Sequence, residues 1–190
     1  MVPEIEIETE HLLLREFRRS DEDDFLIYAA DEEHWRHLPV EPPTSQSLQS
    51  HFARLYGLQH DEPRIAYELI VTDKYSDAFF GEASLYLQPP FRSASIGWAV
   101  VQKHSGRGIA TEMSAALLYF AFTTLEVHRI QANCRVENLA SRRIMAKLGM
   151  REEGISRDHL FIRGEWWSSV QAAILSNDPE CLQKGYIAER

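Results

Sequence analysis

Two hydrophobic periods alternate along this chain. Ile65, Tyr67, Leu69 and Val71 recur at every second position, and Ala94, Ile96, Trp98 and Val100 do the same. Between them Glu82, Ser84 and Tyr86 oppose Ala83, Leu85 and Leu87. A period of two puts each set on one face of a strand, so the middle of the chain reads as a meander of three strands. A polar turn at 73–77 and the Pro89-Pro90 pair separate them. Residues 5–17 begin with the same alternation and pass through Leu12-Leu13-Leu14, a strand with hairpin character.

Helical spacing replaces alternation elsewhere. Ser20-Asp21-Glu22-Asp23 resembles a capping box before a helix over about 21–30. Residues 34–43 hold Pro39, Pro42 and Pro43 and read as an irregular loop, followed by a helix carrying Leu48, Phe52 and Leu55. Residues 111–125 form a well-buried helix: Met113, Leu117, Phe120 and Thr124 make one stripe, and Leu118, Phe122 and Leu125 widen it. Ile130, Ala132, Cys134 and Val136 make a strand. Asn138 then caps a short helix with Ile144 and Leu148 inward and Gly149 as its stop. Strands at about 151–158 and 165–175 pair across Arg163-Gly164, and 176–190 is weakly patterned, either frayed or a packing extension.

The order is strand, two helices, three strands, helix, strand, helix, two strands. It predicts an α+β fold, with a mixed, mostly antiparallel central sheet of about seven strands and helices on both faces. Short turns between adjacent strands argue against a doubly wound parallel sheet. A chain of 190 residues suits one domain, placed at 1–176 with a tail at 177–190. The formal net charge of −9 argues against a nucleic-acid surface. No apolar run is long enough to span a bilayer, and the acidic start is no secretory signal, so a cytoplasmic location is expected. The two cysteines, Cys134 and Cys181, have neither disulfide-scaffold nor zinc spacing.

Candidate chemistry centres on Ser95–Thr111, SIGWAVVQKHSGRGIAT. A strand stops at a polar turn and re-enters a helix through Ser105-Gly106-Arg107-Gly108-Ile109-Ala110. Glycines let backbone approach a ligand, and the first amides of a helix lack internal partners and carry positive partial charge. Such a turn suits a phosphorylated cofactor. There is no G-x-x-x-x-G-K-[S/T] to suggest a nucleotide-binding loop.

This turn, together with TEHLLLREF, SIGWAV and VENLASRRIMAKLGM, resembles the GCN5-related N-acetyltransferase (GNAT) superfamily, and within it the ribosomal-protein alanine N-acetyltransferases. The resemblance spans about 9–175. It implies an acetyl-CoA-dependent N-acetyltransferase that acts on a primary amine, either a protein N-terminus or a small molecule, by direct attack. Acetyl-CoA is then the co-substrate, with no metal, nucleic acid or membrane, and a homodimer is compatible with it. The resemblance also implies that backbone amides from Ser105 through Gly106, Arg107, Gly108 and Ile109 to Ala110 hold the pyrophosphate, with Thr111 beside them. Trp98, Ala99, Val100 and Val101 would pair with the pantetheine arm, Asn138 would bond it, and Ser141 would sit near the sulfur. Two departures stand out. Ser105 replaces a long polar side chain, and Ser95 replaces a glutamate common in this branch. They keep open an alternative, an acyl-CoA-binding regulatory module without turnover.

An amine nucleophile must be neutral, and a carboxylate can take its proton. Glu82 is the first candidate base, because its strand lies near the cofactor strand; Glu68 is the second. Ser141, or a tyrosine such as Tyr86, is a candidate proton donor to the thiolate. Cys134 reads as a small core residue, and His34 and His37 as loop residues without a third metal ligand. Of Trp166 and Trp167, one ring is expected in the core and the other on a cleft.

Overall fold

The computed structural model describes residues 4–90 and 92–183; the end of the predicted tail, 184–190, lies outside them. Eight strands form one sheet in the order β1-β2-β3-β4-β5-β6-β8-β7. They are β1 (Glu6–Glu8), β2 (Leu12–Arg15), β3 (Ala66–Asp73), β4 (Phe79–Gln88), β5 (Ser93–Val100), β6 (Arg129–Arg135), β7 (Arg151–Ile162) and β8 (Glu165–Leu175). The helices are α1 (Glu22–Ala29), α2 (Glu32–Trp35), α3 (Ser45–Leu58), α4 (Ile109–Thr123), α5 (Leu139–Lys147) and α6 (Pro179–Gln183). The first segment is a true hairpin, β1 pairing antiparallel with β2, which takes the sheet from about seven strands to eight.

Every strand pair is antiparallel except β5–β6. A parallel pair needs a crossover, and α4 supplies it. Met113, Leu117, Leu118 and Ala121 of α4 are fully buried against Leu69, Val71, Ala83 and Leu85. The opposite face of β3 is also buried, beneath α3, so alternation described only half of this strand. Phe17, Phe25, Phe52 and Ile70 form a second core there. The sheet is therefore sandwiched between α4 with α5 and α1–α3. Gly149 (φ 82°) ends α5 as expected, and Arg163-Gly164, both at positive φ, make the tight β7–β8 turn. The start of the tail packs: α6 buries Cys181 fully.

The Ser20 capping box does not form. Asp21 instead accepts from the Arg18 amide (2.6 Å) and takes both terminal nitrogens of Arg15 at 2.8 Å. Arg15 is 2% exposed, and a buried guanidinium demands a carboxylate more strongly than a helix end demands a cap. Asp21→Ala is expected to cost about 3 kcal/mol of stability by urea unfolding. A loss below about 1 kcal/mol would show that the pair behaves as an ordinary surface bridge.

Candidate active site

β5 and β6 begin together and then part. Only Ser93↔Arg129, Ala94↔Ile130 and Ser95↔Gln131 are paired. β5 runs on to Val100, while β6 continues against β8 as far as Arg135↔Ser169. The wedge between them opens into a cleft of about 780 Å³, a size typical of small-molecule sites. The Val101 amide donates to the Phe80 carbonyl at 2.9 Å. Backbone groups alternate sides along a strand, so Ala99 and Val101 face β4, and Trp98 and Val100 present their N–H and C=O to the wedge. Of the four residues expected to pair a ligand chain by backbone, two are so placed.

At the head of the wedge the glycine turn enters α4. Gly106 (φ 78°) and Gly108 (φ 88°) adopt left-handed conformations, and a Cβ at either would meet open space. The Ser105 amide is already committed to the Gln102 carbonyl (3.0 Å), and Thr111 to Gly108 (2.9 Å). This corrects the expectation that Ser105 offers its N–H. Gly106, Arg107, Gly108, Ile109 and Ala110 have no backbone acceptor among the described residues. Five amides at the positive end of a fifteen-residue helix, on an open surface, fit a diphosphate. Arg143 and Lys147 of α5 line the same cleft and add positive charge.

On the β6 side Asn138 caps α5, its Oδ1 accepting from the Ser141 amide at 3.0 Å, and both residues line the cleft. The carboxamide oxygen is thus occupied in the role its position predicts. Burial pushes the Cys134 thiol up to about 11, so it is a neutral wall group and no nucleophile.

The face of β4 and β5 that looks toward α1–α3 carries the acid–base groups. The register sets Glu82 opposite Ala99, Ser84 opposite Gly97 and Tyr86 opposite Ser95. Glu68 of β3 lies on the same face, opposite Ser84. Ser95 itself lies opposite Tyr86, and the two carboxylates stand further along this face. Burial, and then the charge of Glu68, push Glu82 up to about 8; Tyr28 and Arg54 oppose this. Glu68 is itself raised by burial and accepts from the Tyr86 hydroxyl. That bond commits the Tyr86 proton, and burial and Glu68 hold Tyr86 well above the ordinary phenol range. Tyr86 is therefore a poor proton donor.

His34 is pressed against Tyr28, ring centroids 4.4 Å apart, with its Nε2 3.9 Å from Glu82. Burial and then the neighbouring His51 lower it to about 4, so it is neutral and forms no ion pair with Glu82 near neutrality. Tyr28 was not singled out from sequence, because with Phe25 and Ala29 it continues an apolar helical stripe. It is 6% exposed, lines the cleft, and its hydroxyl makes no hydrogen bond among the described residues. An unpaired buried hydroxyl costs about 1–3 kcal/mol.

The β7–β8 hairpin closes the cleft. Trp167 is both the core ring (2% exposed) and the cleft wall, whereas Trp166 is 60% exposed and packs on Phe161, outside it. One ring thus does both expected jobs. Arg163 stacks on Trp167 and donates to the carbonyls of Trp35, Arg36 and Leu38 at 3.0–3.2 Å, which ties the hairpin to the loop after α2. That loop begins two residues later than expected, since Glu32–Trp35 is helical and Asp31 caps it.

Residues 11–151 match the model of the acetyltransferase (GNAT) domain. The chain is 28% identical over 172 residues to the uncharacterized N-acetyltransferase YnaD of Bacillus subtilis, covering 90% of this chain and 98% of that one. It is 25% identical over 183 residues to the ribosomal protein uS5-alanine N-acetyltransferase of Escherichia coli, covering 93% and 94%. Among solved structures, Mycobacterium smegmatis RimJ in complex with CoA-disulfide superposes with a TM-score of 0.80 at 25% identity, covering 96% of this chain and 94% of that one.

Because the folded Glu82 keeps a proton up to about pH 8 that an ordinary carboxyl, at 4.5, has lost, the native state binds more protons between those values. Stability contributed by this group therefore falls as pH rises from about 4.5 to 8. Glu82→Gln removes that loss while leaving His34 in place. Relative to wild type, its melting temperature should gain at least about 3 °C on going from pH 5 to pH 8. Parallel curves would show that Glu82 ionises normally.

Proposed function

Since the chain belongs to the GNAT family and is an acetyl-CoA-dependent N-acetyltransferase, we propose that its acceptor is the α-amine of a peptide or protein N-terminus. Acetyl-CoA, when bound, supplies the acyl group and a thiolate leaving group. The five free amides of residues 106–110 would hold its diphosphate, and Trp98 and Val100 would pair with the pantetheine arm along the wedge. The acceptor enters from the other side, past Asp31 and Glu33 on the cleft wall. These carboxylates favour a cationic amine over an anionic one.

The observation that carries the choice of acceptor is the Glu82 carboxyl, partly buried behind that wall and pushed up to about 8. An α-ammonium also titrates near 8, so passing its proton to Glu82 is close to even. A lysine-type ammonium near 10.4 would give up its proton to the same carboxyl only at a cost of about 3 kcal/mol. Glu82 is thus the base that frees the amine, and direct attack on the acyl group follows without an acylated enzyme. As the amide forms the nitrogen sheds its remaining extra proton, and Ser141, in the first turn of α5, relays a proton to the departing thiolate. The similarity to an alanine N-acetyltransferase agrees with this reading. The unpaired cysteines, Cys134 and Cys181, agree with a reducing, cytoplasmic setting.

Thiol release from acetyl-CoA with three acceptors tests the assignment: a peptide beginning with Ala, the same peptide blocked at its N-terminus but carrying lysine, and spermidine. The free N-terminus should give a kcat/KM at least about tenfold above the others at pH 7.5. A preference for lysine or spermidine would overturn the α-amine reading. Cofactor binding without thiol release from any of them would favour the non-catalytic module.

A further inference from the structure

Tyr28 lines the cleft, and its buried hydroxyl makes no hydrogen bond of normal geometry among the described residues. Its ring is fixed by edge contacts with Phe79 (5.2 Å) and His34 (4.4 Å), so the hydroxyl cannot swing to bulk water. The side chain is more than nine-tenths buried and lines the cleft. Its hydroxyl neighbours the Glu82 carboxyl closely enough for each to shift the other, and the contact falls short of a hydrogen bond of normal geometry. Phenylalanine would fill the same space without leaving a polar atom unsatisfied, so in the protein alone the hydroxyl is a burden. His34, the nearest ionisable ring, is neutral near neutral pH and brings no competing cation.

We infer that Tyr28 is an acceptor-binding residue: its hydroxyl oxygen accepts a hydrogen bond from the acceptor nitrogen while Glu82 faces the same nitrogen. The inference rests on the reading of the Glu82 side of the cleft as the acceptor side. The two groups come from opposite layers, Tyr28 from α1 and Glu82 from β4, so they can meet one nitrogen from two directions. Two fixed contacts orient the nitrogen lone pair, and a misdirected lone pair slows attack even when binding is retained.

The test is Tyr28→Phe, assayed with the Ala-initiated peptide. The KM for the peptide should rise at least fivefold and kcat/KM should fall with it. Calorimetry should give an acetyl-CoA affinity within twofold of wild type, and the melting temperature should be equal or higher. A merely structural tyrosine makes the opposite pattern: a peptide KM within twofold of wild type, or an activity loss that tracks a lower melting temperature. Either result overturns the inference. If the wild-type enzyme uses another amine from the panel, the α-amine reading fails by itself, and the same comparison on that amine still decides the role of Tyr28.

Discussion

A β-strand edge that loses its neighbour must find another partner for its backbone, and this molecule is built around one such edge. Three residue pairs join β5 to β6, after which β6 follows β8 and β5 is left facing a wedge. An unpaired N–H or C=O away from water is unfavourable, so the strand is primed for an extended, amide-bearing ligand. The sheet beyond the wedge stays intact because α4 covers its other face with a continuous apolar contact. The same crossover that makes β5 and β6 parallel also puts the amino end of α4, with its five free amides, at the head of the gap. Phosphate cradle and strand edge are thus two consequences of one connection.

The acceptor side depends on a different constraint, the burial of like charges. Glu68 and Glu82 share one face of the sheet beneath α1–α3, and two carboxylates in a poorly solvated space do not ionise together at their ordinary values. Tyr86 donates to Glu68, which favours ionisation there and leaves Glu82 holding a proton. Ser95 faces Tyr86, so the carboxyl groups of this surface serve a different stretch of β5, near Gly97 and Ala99. Arg163 finishes this half of the cleft by tying the hairpin to the loop after α2 through carbonyls that would otherwise point at solvent.

Much of this was legible from the residues. Alternation in 79–100 reports side-chain direction directly, so the faces of β4 and β5, and with them Glu82, were readable. The glycine turn and the Asn138 cap are local, and local chemistry survives into the fold. What was hidden depends on pairing across long sequence distances. β3 is buried on both faces, and its polar Glu68 gave no sign of that. Asp21 looked like part of a cap and is instead the partner of a buried Arg15. Tyr28 sits on an apolar stripe, and only the layer opposite shows that it lines a cleft with its hydroxyl buried beside Glu82. The hydrogen bond from Ser105 to Gln102 shortens the cradle by one amide, a detail of a single 3₁₀ turn that spacing does not encode.

Amide NMR of the ¹⁵N-labelled protein during titration with coenzyme A addresses the central claim most directly. The account requires the largest shifts at Gly106, Arg107, Gly108, Ile109 and Ala110, with Trp98 and Val100 moving next and Ser105 and Val101 less, since their N–H groups already have protein acceptors. Saturable binding that leaves residues 106–110 unmoved and shifts a different region would contradict it.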